Sequence, residues 1–597
     1  MGFRAESDPF TLSILQNALI YAAEEMFAVT ARTAKSPIIY DVLDFSTAIT
    51  DARGDVIAQA TGIPLFIGIF DFTVKGVLAK FGDDFEPGDV VILNDPYISG
   101  THLNDIGLVA PIFYGDRLVA FAASKGHWND IGGISFGSWG PGRTEIYQEG
   151  LQIPPCKVFI QGRPNRDILD ILRVNSRIPD QVLGDMEAQV AGLRVAVRRV
   201  EKIIAKYGLH TYFAAIERIL HTGEQIAKTR MKELPKGHFR AEDFMDEGGP
   251  DDQPLPIHVD IEITDDEFKV DFSGNSPQLP FSLNTTYPAT VAAVRVVYMA
   301  LIDPHARYNQ GLVAPLKVIA PEGTVFNAQR PAPVSVYWEA LTYAADLVWK
   351  ALAPHAKDRL TAGHFLSVVA EIIAGMHDET GEAFALVEPN PGGWGAGCDM
   401  DGESALVSFA DGETFAASIE VLETRYPILV ERYALNTEDG VGHGQFRGGL
   451  GIIKDYRILN SRAELTTDIN RARIPPWGME GGQSGTLNYV LLLSEGRPPF
   501  RTRKVAAHKL NRGDIVSIRT GGGGGWGDPL EREPQRVLED VREELISIEQ
   551  ARHIYGVIIN ETDLSIDTEA TIALRARKRR ERKKDLRSSD SEHRDCP

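Results

Sequence analysis

Potential metal ligands stand at both ends of one apolar run, and this pattern limits the folds open to the chain more than any other. The segments Gly100-Thr101-His102-Leu103-Asn104-Asp105 and Lys125-Gly126-His127-Trp128 are too rich in turn formers to be ordinary core. His102 and Asp105 stand three residues apart, and His127 follows the apolar run Leu118 to Ala123. A strand between them can return the second imidazole beside the first. A further apolar run, Val90 to Leu93, ends at Asn94-Asp95-Pro96-Tyr97 and reads as a buried strand feeding the same loops.

At 597 residues the chain exceeds the roughly 250–300 residues that one core supports, so more than one domain is expected. The expected divisions are an N-terminal α+β metal-binding region over 1–235, a β-rich α+β region over 236–530, and a helical segment with a basic tail over 531–597. With 43% hydrophobic and 24% charged residues the composition is that of a folded soluble enzyme. A net charge of -21 argues against a nucleic-acid partner for the body of the protein. The cysteines, Cys156, Cys398 and Cys596, match neither a zinc knuckle nor a disulfide framework, which points to a reducing compartment and a cytoplasmic location. The N-terminus lacks an apolar signal region, no apolar run is long enough to span a membrane, and Gly2 lacks the hydroxyl residue a myristoylation signal wants.

Helical spacing of Ile14, Leu15, Ala18, Leu19, Ala22, Met26 and Val29 predicts one long helix near the N-terminus. A second is expected between Gly184 and Gly208, where Met186, Val190, Leu193, Val197, Val200 and Ile204 share a side. Residues 231–256 mix Pro, Gly and acidic residues and read as a boundary, after which His258–Ile263 and Phe268–Phe272 alternate as strands. Helical periodicity recurs over 287–302 and 339–373, and again over 535–553. The basic run from Arg575 to Arg587 reads as a solvated tail. An α+β protein with extensive β-rich regions fits better than a regular βα barrel.

A divalent ion needs several oxygen or nitrogen ligands and an open position if it is to bind water or substrate. Asp44, His102, Asp105 and His127 provide such a set, and Asp41 can join it, hold a second ion or orient a ligand. Zn, Mn and Fe suit it equally. The plainer alternative is hydrogen-bonded loop histidines with turn-capping aspartates. Asp95, Lys125 and Asp130, with Asn94 and Tyr97, are further candidates for catalysis, and Arg143, Glu145 and Glu149 for a salt-linked support. A second polar cluster joins Gly392–Gly395, Asp399, Asp401, Glu420, Glu423 and Arg425. The run Gly521 to Gly525 lacks the Lys-Ser or Lys-Thr of a phosphate loop, so no nucleotide site is expected on this chain.

Asp44-Phe45-Ser46, Asn94-Asp95-Pro96-Tyr97, Gly100-Thr101-His102, Glu149-Gly150-Leu151, Glu423-Thr424-Arg425-Tyr426-Pro427, Phe446-Arg447-Gly448-Gly449 and Gly521 through Pro529 together resemble the B-type subunit of the hydantoinase, oxoprolinase and acetone or acetophenone carboxylase superfamily. The resemblance implies a large multidomain fold of that type and an A-type ATPase partner, using ATP and Mg, in a hetero-oligomer. The partner would phosphorylate an amide or enolate oxygen, or bicarbonate. By the same resemblance His102, Asp105 and His127 are metal ligands, with a carboxylate from Asp44 or Asp41. The expected function is the metal-containing subunit of an ATP-dependent amidohydrolase that opens a hydantoin or lactam. The alternatives are a subunit of an ATP-dependent ketone carboxylase and a noncatalytic scaffold. Many hydantoinase-like members carry a His-His pair where this chain has His127-Trp128, a departure that reshapes the pocket.

Overall fold

The computed structural model describes residues 8–249, 251 and 253–592. Gly2, Pro250, Asp252 and Cys596, together with the side chains of Lys583, Lys584 and Arg587, lie outside that description. The architecture is α+β, as expected.

The N-terminal region is a seven-stranded sheet built from β1 (Phe45–Asp51), β2 (Val56–Gln59), β3 (Val90–Leu93), β4 (Asp105–Tyr114), β5 (Arg117–His127), β6 (Cys156–Ile160) and β7 (Arg163–Pro164), in the order β2-β1-β5-β4-β3-β6-β7. Two long helices, Pro9–Thr33 and Pro179–Tyr207, pack together against it. Asp8 caps the first by accepting from the Thr11 N–H. Its buried stripe is Leu12, Leu15, Leu19, Ala22 and Met26, and Ile14, expected on that stripe, faces solvent. The second begins before the predicted Gly184 and stops, as predicted, at Gly208, whose φ of 82° is a conformation glycine adopts cheaply.

Residues 231–256, expected as a boundary, contain β8 (Gly237–Gly248), which pairs antiparallel with β9 (Pro254–Ile263). With β10 (Phe268–Asp271) and β11 (Leu316–Ile319) they form a second sheet, ordered β11-β10-β9-β8. The predicted helix over 287–302 is present as Tyr287–Ile302. The one expected over 339–373 runs only from Tyr337 to Leu352. Pro354 follows in a short 3-10 turn, and the apolar residues beyond it enter β12 (Glu371–Met376).

The strands that follow are β13 (Ala383–Glu388), β14 (Ile428–Leu435), β15 (Ile452–Ile458), β16 (Arg462–Asp468), β17 (Tyr489–Leu493), β18 (Phe500–Thr502), β19 (Lys504–Asn511) and β20 (Ile515–Arg519). They form two sheets, β13-β12-β16-β19 and β14-β15-β20-β17-β18. Between them run extended glycine-rich segments bonded backbone to backbone, with Gly393 N–H donating to Gly521 O at 2.9 Å, Gly449 N–H to Trp394 O at 2.8 Å and Gly523 N–H to Gly449 O at 2.9 Å. A Cβ at Gly393 would lie 2.0 Å from Gly449 O, and one at Gly523 would lie 2.0 Å from Trp394 O. The glycines at 521–525 therefore serve the close approach of neighbouring chains.

The helix expected over 535–553 is two helices, Pro534–Arg542 and Ile548–His553, the second opened by a capping box at Ser547. The basic segment is not a free tail. It forms the helix Thr568–Glu592, whose Arg575 donates to Tyr555 O at 3.0 Å while Arg579 and Arg582 pair with Glu531 and Asp528. Among the described residues no helix is long and apolar enough to cross a membrane.

Candidate metal centre

Strand register assembles the site. Strands β4 and β5 form a hairpin in which Asp105 lies directly opposite His127 at the open end. On the other side of β5, Phe45 of β1 lies opposite Gly126, and the His127 N–H donates to Asp44 O at 3.1 Å. The loop before β4 carries His102. Four sequence candidates thus meet at one corner of the sheet because two antiparallel pairings share β5.

His102 Nε2, His127 Nδ1 and Asp105 Oδ1 form a triangle with sides of 3.1, 3.2 and 3.2 Å. All three residues are buried. His102 Nδ1 faces the Ser335 carbonyl at 3.0 Å, which fixes the proton there and leaves the Nε2 lone pair turned into the triangle. Among the described residues, Asp105 Oδ2 and His127 Nε2 are buried without a hydrogen-bond partner. Ligands about 2.0–2.1 Å from one ion sit roughly 3.0–3.4 Å apart, so the triangle has the dimensions of one face of a metal coordination shell. Mixed imidazole and carboxylate ligation fits a divalent ion such as Zn, Mn or Fe.

The triangle opens onto a cavity of about 40 Å³ whose wall also includes Asp44, Asp411, Tyr337 and Trp338. Burial pushes the Asp44 carboxyl up to about 8, and burial with the charge of Asp105 pushes Asp411 up to about 7. Asp105 behaves in the opposite way. Burial alone would raise it, but the two imidazoles, when they carry protons, hold it well below the usual carboxylate range through charge and hydrogen bonds. Tyr337 keeps its proton because it is buried and ringed by the carboxylates of Asp105, Asp411 and Asp44. The Trp338 ring stands edge-on to His102, with centroids 5.3 Å apart.

Other sequence candidates lie off the cavity. The Asp41 carboxylate accepts from the Ser418 N–H at 3.1 Å, so it holds a distant segment and is not part of the triangle. Asp95 caps Tyr97 and pairs with Arg330 at 2.8 Å. Asp130 accepts from Gly132, Gly137 and Arg177 N–H groups and pairs with the Arg177 guanidinium at 2.9 Å. Lys125 donates to the Ser99 carbonyl at 3.1 Å, and burial lowers its ammonium to about 8. These three shape the loops around the site, and none lines the cavity.

Arg143 and Glu149 make no ion pair with each other. Arg143 donates to the carbonyls of Pro141, Ser138 and Trp139. Glu149 Oε1 accepts the N–H groups of Val334 and Ser335 at 2.8 and 2.9 Å, and so fixes the carbonyl that orients His102. In the second polar cluster Asp401 is held by Arg532 and Arg536, and Glu423 accepts from the Val430 N–H. Asp411, Tyr337 and Ser335 were not found from sequence. They arrive from more than two hundred residues away with no spacing signal, and the Asp411-Gly412 turn is indistinguishable from any other.

The fold is one already seen in solved structures, and the sequence places the chain in a known family. The sequence pattern of the hydantoinase B/oxoprolinase family matches residues 8–529, and the chain belongs to that family. It is 33% identical to a chain named as the B-type component of a D-/L-hydantoinase from a Pseudomonas species, over 95% of this chain and 98% of that one. The beta chain of the caprolactamase from Pseudomonas jessenii is 32% identical over 95% of this chain and 99% of its own. The crystal structure of that organism's ATP-dependent caprolactamase superposes with a TM-score of 0.90, at 31% identity, covering 96% of this chain and 100% of the matched one. A nucleotide-free acetone carboxylase shares the fold, with a TM-score of 0.89 at 21% identity over 97% of this chain and 84% of the matched one.

Proposed function

We propose that this chain is the metal-binding subunit of an ATP-dependent cyclic amidase, which opens a lactam or hydantoin ring phosphorylated by a separate A-type ATPase subunit. The observation that carries the reading is the His102, Asp105 and His127 triangle with its two unpartnered polar atoms. The kinship to chains named as components of a hydantoinase and a caprolactamase supports both the substrate class and the partner.

An unstrained amide resists water, and phosphorylation of its oxygen by the partner makes the carbon electrophilic; water addition and loss of the ring nitrogen then leave an acyl phosphate, whose hydrolysis by a second water releases phosphate and the ring-opened acid. A divalent ion at the triangle would polarise the bound oxygen and make hydroxide available near neutral pH. His102 presents its Nε2 lone pair because Ser335 O fixes the proton on Nδ1. Asp105 stays ionised beside the imidazoles. Asp44 and Asp411 line the same cavity and are placed to pass a proton to the departing ring nitrogen. Phe66, Trp139, Val368 and Val387 keep bulk water from the activated ester.

The test is ATP turnover by the native complex with lactam, hydantoin and ketone substrates, with bicarbonate present or rigorously removed. The reading expects turnover that persists without bicarbonate and yields a ring-opened acid. Turnover that requires bicarbonate and consumes a ketone would reject it in favour of a carboxylase.

A further inference from the structure

The single helical turn Pro64–Ile67 separates two spaces of very different size. Phe66 walls the metal cavity, while Pro64 and Ile67 wall a two-lobed cleft. The lobes measure about 270 and 300 Å³, against about 40 Å³ at the metal ligands. The cleft is thus within reach of the size range of small-molecule sites, roughly 300–1,000 Å³, and the metal cavity is far below it.

The two lobes differ in chemistry. One is floored by Val296 and Met299 of the Tyr287–Ile302 helix, and the other presents Gln16, Thr61 and Asn309. Gln59 and Tyr308 line both. Gln59 Oε1 and the Tyr308 hydroxyl are both buried and, among the described residues, have no hydrogen-bond partner. Tyr308 is only 8% exposed, and burial pushes its phenol up to about 12, so the hydroxyl remains a donor. Orphaned buried polar atoms of this kind are costly unless something completes them.

The charges in the wall are already matched. Arg295 meets Asp71 at 2.8 and 3.0 Å, and Arg307 lies 3.5 Å from Glu24. Each guanidinium thus has a carboxylate counter-charge, the buried one through two hydrogen bonds and the exposed one through a looser pair. What remains among the described residues is the Tyr308 hydroxyl and the Arg295 Nε–H as donors and the Gln59 amide oxygen as acceptor, next to an apolar floor.

We infer that this cleft binds a small neutral amide, its carbonyl accepting from Tyr308, its N–H donating to the Gln59 side-chain oxygen and its hydrocarbon ring lying on Val296 and Met299. The inference rests on the cyclic-amide reading for the ligand's identity, and it gives the substrate a holding site one helical turn from the metal cavity.

Calorimetric titration of caprolactam into the full chain, stripped of metal with a chelator, tests it. Wild type is expected to bind, with Kd raised at least tenfold by Tyr308→Phe and by Gln59→Leu and changed less than twofold by His102→Ala. Tyr308→Phe removes a hydroxyl that has no partner, so folding is retained. Absence of binding, binding abolished by His102→Ala but indifferent to Tyr308→Phe, or tighter binding of the ring-opened amino acid than of the lactam would each overturn the inference. Failure of the amidase reading is separately visible. Bicarbonate-dependent turnover would sink that reading while leaving a Tyr308-dependent amide site in place.

Discussion

Two clusters of charged side chains inside this molecule end differently. Around Arg532, the guanidinium meets Asp401 at 2.6 and 2.9 Å and Asp540 at 2.8 and 2.9 Å, while Arg447 and Arg536 take up the remaining carboxylate positions. Both oxygens of each aspartate face a cation. At His102, Asp105 and His127, three groups that can each donate an electron pair are crowded to 3.1–3.2 Å, and two buried atoms are left without partners. A completed network stabilises the fold, whereas a cluster of mutually facing lone pairs needs a cation, a proton or a metal ion, to hold it together. Burial is common to both, and only the balance of donors and acceptors separates scaffold from site.

Substitution divides the two most sharply. Asp105→Ala or His127→Ala should lower turnover of the complex roughly 10³-fold or more, because several kcal/mol of charge stabilisation depend on the ion. Arg532→Ala should instead cost about 3–5 kcal/mol of stability, since Asp401 and Asp540 lose their central partner, and metal per chain should be unchanged. Steady-state turnover reads the first, and urea unfolding followed by metal analysis reads the second. A destabilised Arg532 variant that also loses metal would break the comparison.

Glu149 lies between these extremes. Truncation to Ala releases the Val334 and Ser335 N–H groups and should weaken metal affinity by about 10–100-fold, while Glu149→Gln, whose amide oxygen accepts the same bonds, should restore it. Competition with a fluorescent chelator gives the numbers.

Asp411 provides the smallest effect, and its sign is fixed. Its folded value of about 7 lies above the ordinary 3.8, so the folded state holds the proton more tightly than the unfolded one. Its contribution to stability is largest below pH 4, falls as pH rises toward 7 and stays lost above that. Asp411→Asn should therefore stabilise metal-free protein at pH 8 by roughly 1–2 kcal/mol, less than the full shift because the surroundings of a buried carboxylate relax, and should leave it unchanged at pH 4. Equal effects at both pH values would contradict the assignment.

Much of the scaffold of the site was readable from local pattern. Val90–Leu93 and Tyr287–Ile302 emerged with the boundaries the sequence suggests, because each is an apolar stretch bounded by turn formers. Strand β8 escaped notice because its exposed face is charged, so its alternation resembled a polar linker. The helix predicted through residue 373 stopped at Leu352 because apolar residues in a fully buried strand carry no period to distinguish them from helix. The basic helix docks through backbone carbonyls and acids brought from elsewhere, which no local reading of its own charges reveals.

At the site, His102, Asp105 and His127 were legible because one hairpin links them, and Asp44 because it adjoins the neighbouring strand. Asp411 and Tyr337 reach the cavity, and Ser335 reaches His102, through tertiary packing alone. Asp41, Asp95 and Asp130 had the right chemistry at the right distance in sequence, and each is committed to N–H groups or an arginine of the loops.

The most direct test of the account is the metal content of the purified chain, measured by mass spectrometry after equilibration with Zn, Mn or Fe and removal of excess ion. The account predicts about one tightly held ion per wild-type chain, lost in His102→Ala and Asp105→Ala and retained in Arg532→Lys. A wild-type chain that holds no ion, or a His102→Ala chain that holds it as tightly as wild type, would contradict the claim that this triangle is the metal centre.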